Sequence, residues 1–321
     1  MKMLTTLSLL CAITCAPFAA HGEANFPSRP LTLVVTQAAG GGMDGAARML
    51  GKNLSAILGQ PVVIENRGGA GENIGINAVA KAAPDGYTLL FCSNSITINP
   101  TLYKSLPYDA KKELRPIGKI ASVPLLMVAA ASEPYRDLTQ LITHAKANPG
   151  KLSYGSPGTG LAHHLAMELV KSTAGINIQH VPYKGAAPGL NDLLAGTIPI
   201  LVASVPPVEP HIRSGKLRAL AISGKARLPQ LSEVPTLSEA LPGIEVEAWM
   251  AIFTPADTPE AVRAKLAEAL KTALNDQEVV TQLSRMGMIA SWLSPSDMMA
   301  AMAREEVHWA AAIKEAGIKP E

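Results

Sequence analysis

Leu31-Thr-Leu-Val-Val35 leads directly into Thr36-Gln-Ala-Ala-Gly-Gly-Gly-Met-Asp44 and Gly45-Ala-Ala-Arg48, and this stretch decides how the chain begins to fold. The apolar run predicts a buried strand, and the apolar spacing over residues 43–58 predicts a helix. Three consecutive glycines let the backbone pass close to a ligand, and Asp44 is placed to cap the helix. The first amides of that helix favour an anion, so we expect a small carboxylate or phosphate here.

The succession of strand, small-residue turn and helix recurs along the chain. Further strands are predicted at 61–65, 87–92, 123–130, 151–155, 178–181, 198–203 and 217–222. Strands separated by helices pair in parallel, and such doubly wound sheets bind ligands beyond the carboxyl ends of their strands. Turns rich in small or polar residues fall at such ends, at Asn66–Asn73, Ser93–Ser95, Ser156–Gly160 and Pro182–Gly185.

The pattern divides into two α/β units followed by a tail. The second unit begins near Ile117, residues 245–253 are extended, and residues 259–274, 277–286 and 295–316 read almost wholly as helix. Because the tail helices have no strands to accompany, we expect them to pack back on the first unit. The prediction is one lobe from residues 23–122 and 245–321, a second lobe from residues 123–244, and a cleft between them.

The first 22 residues have a basic start, an apolar run and then small residues, which is the form of a secretory signal peptide. Cleavage after Gly22 or Ala24 would fit the preference for small residues. Cys11 and Cys15 lie in this segment, so the mature chain would contain only Cys92. We interpret Cys92 as a buried apolar residue rather than a reactive thiol. We therefore expect a soluble protein of the periplasm.

The composition favours a globular protein with large cores. The 321 residues are 48% hydrophobic and 17% charged, which suits two domains. The formal net charge is +2, and the basic residues form no stripe with interleaved aromatic residues. Nucleic acid is therefore not an expected partner. The protein itself is expected to be a monomer.

Catalytic and metal chemistry receive little support from the sequence. Ser156 lies on a strand-to-helix turn near His163 and His164, so an exported hydrolase is an alternative, although no orienting acid stands out. His164 and Glu168 share a helix face, but a packed or surface pair is favoured over a metal site because no third ligand is evident. Gly69–Gly75 lacks the dinucleotide spacing and no P-loop occurs, so no cofactor is expected.

What remains is the inventory of a binding site, with backbone amides, hydroxyls, a side-chain amide and a carboxylate on two sets of loops. An exported two-lobed binder is most simply a receptor that closes on a solute by hinge motion and passes it to a membrane transporter. A ligand-sensing partner of a membrane signalling protein is the second alternative.

Several motifs occur in order over nearly the whole mature chain: Pro27–Val35, Gly40–Asp44 with Arg48, Val63–Arg67 with Gly69–Gly75, Pro84–Leu89 and His180–Gly185. In these motifs the chain resembles the substrate-binding receptors of tripartite tricarboxylate transporters, also called Bug proteins. The resemblance implies a two-lobed periplasmic binding protein of type II topology. It also implies an organic-acid ligand and a transporter with one large and one small membrane subunit.

In such receptors the glycine loop after the first strand holds one ligand carboxylate, partly through ordered water, and the second lobe supplies the loop that here is Ser156–Gly160. From the loops and the resemblance together we predict a ligand-binding set and no catalytic residue. The set comprises Gln37, Ala39, Gly41, Gly42, Asp44, Ser93, Ser95, Ser156, Gly158, Thr159, Gly160, His164, Lys184, Gly185 and Ser204.

The chain departs from the family pattern at four sites. Thr36-Gln37 replaces a common Pro-Phe or Pro-Tyr pair, Gly68 replaces a proline, Glu72 replaces a glycine, and Leu161 replaces a small hydroxyl residue. The amide of Gln37 can donate and accept hydrogen bonds, and Leu161 removes a donor. Glu72 is expected near the cleft mouth, where it would repel a highly charged anion. The predicted ligand is therefore a monocarboxylate or dicarboxylate with apolar or aromatic bulk rather than citrate.

Overall fold

The computed structural model describes residues 26–318 except Lys184, Lys225, Glu245 and Ala316. The predicted signal peptide therefore lies outside the described residues. The strands are β1 (Leu31–Val35), β2 (Val62–Asn66), β3 (Thr88–Ser93), β4 (Leu114–Val123), β5 (Leu125–Ala130), β6 (Leu152–Ser156), β7 (Ile178–Pro182), β8 (Ile200–Ser204), β9 (Leu217–Ile222), β10 (Ala248–Pro255) and β11 (Ile289–Leu293).

Helices lie between most of the strands and at the carboxyl end of the chain. They are α1 (Gly42–Leu58), α2 (Asn73–Ala80), α3 (Ser95–Leu102), α4 (Ala110–Glu113), α5 (Leu138–Ala147), α6 (Ala162–Ala174), α7 (Ala186–Ala195), α8 (Val205–Arg213), α9 (Leu237–Ala240), α10 (Glu260–Leu274), α11 (Gln277–Arg285) and α12 (Pro295–Glu315). In the part of the chain that the structure describes, each helix is too short or too polar to cross a membrane.

The strands form two mixed sheets. The first has the order β11-β4-β10-β3-β1-β2, and the second has the order β7-β6-β8-β5-β9. Each sheet includes one strand that follows directly after the chain has crossed from the other sheet. These strands are β5, which is antiparallel to β8, and β10, which is antiparallel to β3. This is the type II topology of two-lobed binding proteins, as predicted.

The strand directions place the loops of interest at facing edges. In the first sheet β1 is parallel to β2 and β3, and β4 runs in the same direction because both β3 and β4 are antiparallel to β10. β4 ends at Val123, and the chain passes through Pro124 into β5. In the second sheet β6 and β8 end at the edge where β5 begins. The carboxyl ends of β1, β3, β6 and β8 therefore face one crevice.

The core explains why β1 is apolar throughout. Leu33 faces the helix α1 and belongs to the larger buried cluster, whereas Val34 points to the opposite face with Cys92 and Trp249. Strands covered by helices on both faces have no solvent side, so they lack alternation of apolar and polar residues. Helix α1 ends at Gly59, whose left-handed backbone (φ 71°) stops the helix as predicted.

The tail differs from its prediction at one element. Residues 289–293, expected to connect helices, form the edge strand β11, in which Ile289 pairs with Ser122 of β4 and Ala290 pairs with Ala121. The expectation that the tail helices accompany no strand was therefore wrong. β4 was also not recognised over most of its length, because Pro116 and Gly118 interrupt its pattern with residues that are usually depleted in strands.

Candidate functional site

The glycine loop after β1 leaves the start of helix α1 open to solvent. Ala39, Gly41 and Gly42 are exposed, and Gly41 precedes the helix without a side chain that caps it. Asp44 was expected to cap α1, but it lies three residues after the capping position Gly41, inside the first turn. The first amides of α1 therefore remain available for an external acceptor.

Asp44 stabilises the glycine loop instead of capping the helix. The buried carboxylate accepts a hydrogen bond from the Gly40 backbone N–H (2.9 Å) and one from Arg48 Nε (3.0 Å), both on Oδ2. Its Oδ1 is buried and accepts no hydrogen bond from the described residues. The hydrogen bond from Arg48, followed by that from Gly40, lowers the pKa of the Asp44 carboxyl. Asp44 is thus a negative group that closes the loop from behind.

Glu72 lies at the carboxyl ends of β1 and β3 and is almost fully buried, with 4% of its surface exposed. The expectation that it stands at the cleft mouth was wrong. Its two carboxylate oxygens accept five hydrogen bonds, from the Thr36 hydroxyl (2.7 Å), the Gln37 amide (2.9 Å), the Ser93 backbone N–H (3.1 Å), the Ser93 hydroxyl (2.8 Å) and the Ser95 hydroxyl (2.7 Å).

Three residues predicted to contact a ligand are therefore engaged with the protein itself. Gln37, Ser93 and Ser95 do lie together at the strand ends, but they direct their donors at the Glu72 carboxylate. The structure brings this group together through parallel pairing of β1 with β3.

The facing loop of the second lobe, Ser156–Gly160, follows strand β6. Ser156 has no exposed surface, and its Oγ lies 2.7 Å from His180 Nε2 and 3.1 Å from the Gly158 carbonyl oxygen. Gly158 is partly exposed and Thr159 is exposed. Gly160 has a left-handed backbone (φ 79°) that turns the chain into α6. The accessible part of this loop is thus its tip, not the Ser156 hydroxyl.

Behind this loop lies a stack of three rings. The His180 ring stacks on Tyr154 on one side (centroids 4.9 Å apart) and on His164 on the other (4.1 Å). Burial lowers the pKa of both histidines to about 4, so the rings are neutral at pH 7. His164 Nδ1 accepts the Gly160 backbone N–H (3.2 Å). His164 therefore supports the loop from the inside.

Glu168 is held away from any metal-ligand geometry. It accepts hydrogen bonds from the Tyr154 hydroxyl (2.6 Å) and from Lys171 Nζ (2.7 and 2.9 Å), and it lies 3.9 Å from His164 Nε2. Among the described residues, no group of three or more His, Cys, Asp or Glu is placed to hold a metal ion. His164 and Glu168 are thus packed side by side without a hydrogen bond to each other, and each is hydrogen-bonded to other groups.

The remaining predicted residues lie at two further strand ends. The Gly185 backbone N–H donates to the Pro157 carbonyl oxygen (3.0 Å), which joins the loops after β6 and β7. Ser204 ends β8, with its Oγ 3.3 Å from His163 Nε2. Lys184 lies outside the described residues.

The two lobes touch on both sides of the crevice. A Cβ added at Gly160 would lie 2.7 Å from Leu102 Cδ1, and one added at Gly287 would lie 2.4 Å from Pro206 Cδ. Helix α12 packs against both α3 of the first lobe and α6 of the second. The loop 156–160 is thus in contact with the first lobe.

A separate groove lies beside β11, where the chain passes from β4 into β5. It has a volume of about 760 Å³ and contains none of the predicted site residues. Lys119, Glu247, Ser223, Leu228, Met288 and Ile289 contribute to its walls.

The sequence analysis left Glu72 and His180 out of the ligand-binding set, although it placed Glu72 near the cleft. Glu72 had a recognisable signal, because a carboxylate in a glycine turn at a strand end is surrounded by hydroxyl residues at neighbouring strand ends. His180 had a weaker signal. It pairs with Tyr154 across β6 and β7, and this register cannot be read from either strand alone.

Comparisons with known proteins agree with this geometry. Residues 46–318 match the family described as the tripartite tricarboxylate transporter family receptor. BugT of Bordetella pertussis is 36% identical over 297 residues, which cover 92% of this chain and 91% of BugT.

Two solved structures have the same fold. A protein of R. palustris solved with adipate is 35% identical, with a TM-score of 0.83 over 92% of this chain and 100% of the other. MatC from Rhodopseudomonas palustris with bound malate is 31% identical, with a TM-score of 0.79 over 90% of this chain and 100% of MatC.

Proposed function

Because this chain belongs to the tripartite tricarboxylate transporter receptor family, we propose that it captures a small organic acid in its interlobe crevice and delivers it to such a membrane transporter. The family consists of periplasmic solute-binding receptors, which are not enzymes. The lobes of the proposed receptor are residues 23–122 with 245–321, and residues 123–244. They close on the ligand by hinge motion, and the receptor acts as a monomer with one large and one small membrane subunit.

The observation that carries the proposal is the facing arrangement of two loops. The open amides at the start of α1 stand at one edge, and the tip of the loop 156–160 stands at the other. A carboxylate between them would accept from backbone N–H groups at the positive end of the helix dipole. Adipate and malate in the relatives of this fold support an acid as the ligand.

Ser156 serves a structural role in this proposal. Its hydroxyl contacts His180, but a nucleophile must reach its substrate, and this side chain is fully buried. The receptor function therefore requires no turnover of the ligand.

Calorimetric titration of the purified mature chain against a panel of mono-, di- and tricarboxylates tests the proposal. We expect saturable binding of one acid per chain and an unchanged ligand after incubation. A receptor for organic acids is ruled out if no acid of the panel binds. Product formation that disappears in Ser156→Ala would instead identify a hydrolase.

A further inference from the structure

Glu72 is surrounded by hydrogen-bond donors arranged as they are in an anion-binding site. Of its five donors, the Ser93 backbone N–H and the Gln37 amide nitrogen can only donate, and the three hydroxyls are placed to donate as well. Among the described residues, no basic side chain forms an ion pair with Glu72. Converging donors without a counter-ion are a way in which proteins hold a free carboxylate.

The backbone at Glu72 has a strained conformation, which the hydrogen bonds of its side chain stabilise. Its φ is 76°, in the left-handed region that favours glycine, and Ala70 is the one other described non-glycine residue with a positive φ. Such a conformation persists where surrounding interactions hold it. Here the five hydrogen bonds of the carboxylate do so.

The negative charge of Glu72 changes the pKa of a buried group near it. Burial raises the pKa of the Cys92 thiol, and the negative charge of Glu72 raises it further. A second anion at this end of the crevice would meet the same repulsion, and it would find the local donors already occupied. The carboxylate is not offered to a cationic ligand either, because its oxygens already accept five hydrogen bonds.

We propose that Glu72 is a built-in substitute for a ligand carboxylate and thereby determines specificity. It fills the anion site formed by Thr36, Gln37, Ser93 and Ser95, so the crevice accepts an acid with a single carboxylate at the α1 end and no second acid group at the strand ends. The inference rests on the proposed function for its physiological ligand, a monocarboxylate. The vacated site itself can be tested without that ligand.

The test is Glu72→Gly, which relaxes the backbone and exposes five unpaired donors. In about 0.1 M sodium formate we expect its melting temperature to rise by about 3–5 °C relative to sodium chloride of equal ionic strength. The wild type and Glu72→Gln, whose side chains still fill the site, should show only the smaller difference that formate binding at the start of α1 produces. Equal responses of all three proteins to formate would overturn the proposal.

A second comparison reads specificity directly. The ratio of the affinity for succinate to the affinity for butyrate should be at least about tenfold higher in Glu72→Gly than in the wild type, because the second carboxylate can enter the vacated site. An unchanged ratio would contradict the role in specificity. If the wild type binds no organic acid while Glu72→Gly still responds to formate, the proposed function fails and the built-in carboxylate stands.

A second variant keeps the proposal testable if Glu72→Gly fails to fold. Glu72→Ala leaves nearly the same space and is measured in the same way. If both variants unfold in chloride, their refolding from urea is compared in formate and in chloride. Recovery in formate alone supports the proposal, and failure to recover in either salt contradicts it.

Discussion

Asp44 and its two hydrogen bonds determine the shape of the glycine loop after β1. The carboxylate holds the Gly40 backbone N–H from behind the loop, and Arg48 holds the carboxylate in turn. The glycines therefore present their amides in one arrangement before any ligand arrives. Such preorganisation reduces the entropy that binding would otherwise lose.

Replacing Asp44 should weaken binding through this loop. We expect Asp44→Ala to reduce ligand affinity by roughly tenfold, about 1.4 kcal/mol, as measured by calorimetry. Asp85→Ala is the matched control, because Asp85 accepts a backbone N–H from Tyr87 in a turn at the other edge of the sheet. Equal affinity of Asp44→Ala and the wild type would remove Asp44 from the site.

The buried histidines predict a loss of stability in mild acid. Burial, and after it the charge of Lys171, lowers the pKa of His164 to about 4, below its value of about 6.5 in an unfolded chain. A group with a depressed folded pKa that gains its charge on protonation stabilises the fold above about pH 6.5. That contribution is lost as the pH falls toward 4.

His164→Gln should therefore flatten the pH dependence. Between pH 7.5 and pH 5 we expect the wild type to lose on the order of 1–2 kcal/mol more unfolding free energy than the variant. Urea unfolding at the two pH values measures this difference. Parallel losses in both proteins would show that His164 is not the titrating group.

At this scale the sequence showed which residues gather at the strand ends but not what they contact. The turn chemistry of Gln37 and Ser93 is local and therefore readable. Their common acceptor, Glu72, comes from another loop, and its burial depends on how three loops meet. A carboxylate that looked solvent-facing in the sequence is thus an internal partner.

Among the elements, helix α12 is connected to strand β10 by one half-buried carboxylate. Glu305 accepts hydrogen bonds from Trp249 Nε1 (2.7 Å), Trp309 Nε1 (2.9 Å) and Asn94 Nδ2 (3.2 Å). Burial raises the pKa of Glu305, and the hydrogen bonds oppose this rise. The last helix is therefore held against this strand.

Removing this carboxylate should destabilise the chain. Glu305→Ala removes the acceptor of two indole N–H groups and one of the two acceptors of the Asn94 amide, so we expect a loss of about 2–4 kcal/mol in urea unfolding. Glu268→Ala on the exposed face of α10 serves as control and should change stability by less than about 0.5 kcal/mol. A loss at Glu305 no larger than at Glu268 would contradict the fastening role.

The elements themselves were largely predictable where their pattern was long. Helices α10 and α11 have strong 3.6-residue periodicity and appear close to their expected bounds. The strands β4 and β11 were missed, because β4 contains strand-breaking residue types and β11 has five residues between two helices. Their pairing with each other is a tertiary effect that short stretches of sequence do not record.

Over the whole molecule, contacts between the lobes lie on both flanks of the crevice. Gly287 of the first lobe meets Pro206 of the second with no room for a Cβ, and Gly160 meets Leu102 in the same way. Glycine at these positions lets the lobes approach closely. A larger residue there would hold the crevice open.

We therefore expect Gly287→Ala to weaken ligand affinity by roughly tenfold and to enlarge the radius of gyration in small-angle scattering. Gly215→Ala is matched, because Gly215 has nearly the same backbone (φ 73° against 72°) but nothing within 4 Å of an added Cβ. It should share the backbone strain and keep the affinity. Equal losses in the two variants would argue that strain, not lobe contact, causes the effect.

The most direct measurement is a crystal structure of the mature chain with the tightest-binding acid of the panel. We expect the acid group between the amides at the start of α1 and the tip of the loop 156–160, with Glu72 still accepting its five hydrogen bonds. A ligand in the groove beside β11, or a ligand carboxylate bonded to Thr36, Ser93 and Ser95 in place of Glu72, would contradict this assignment.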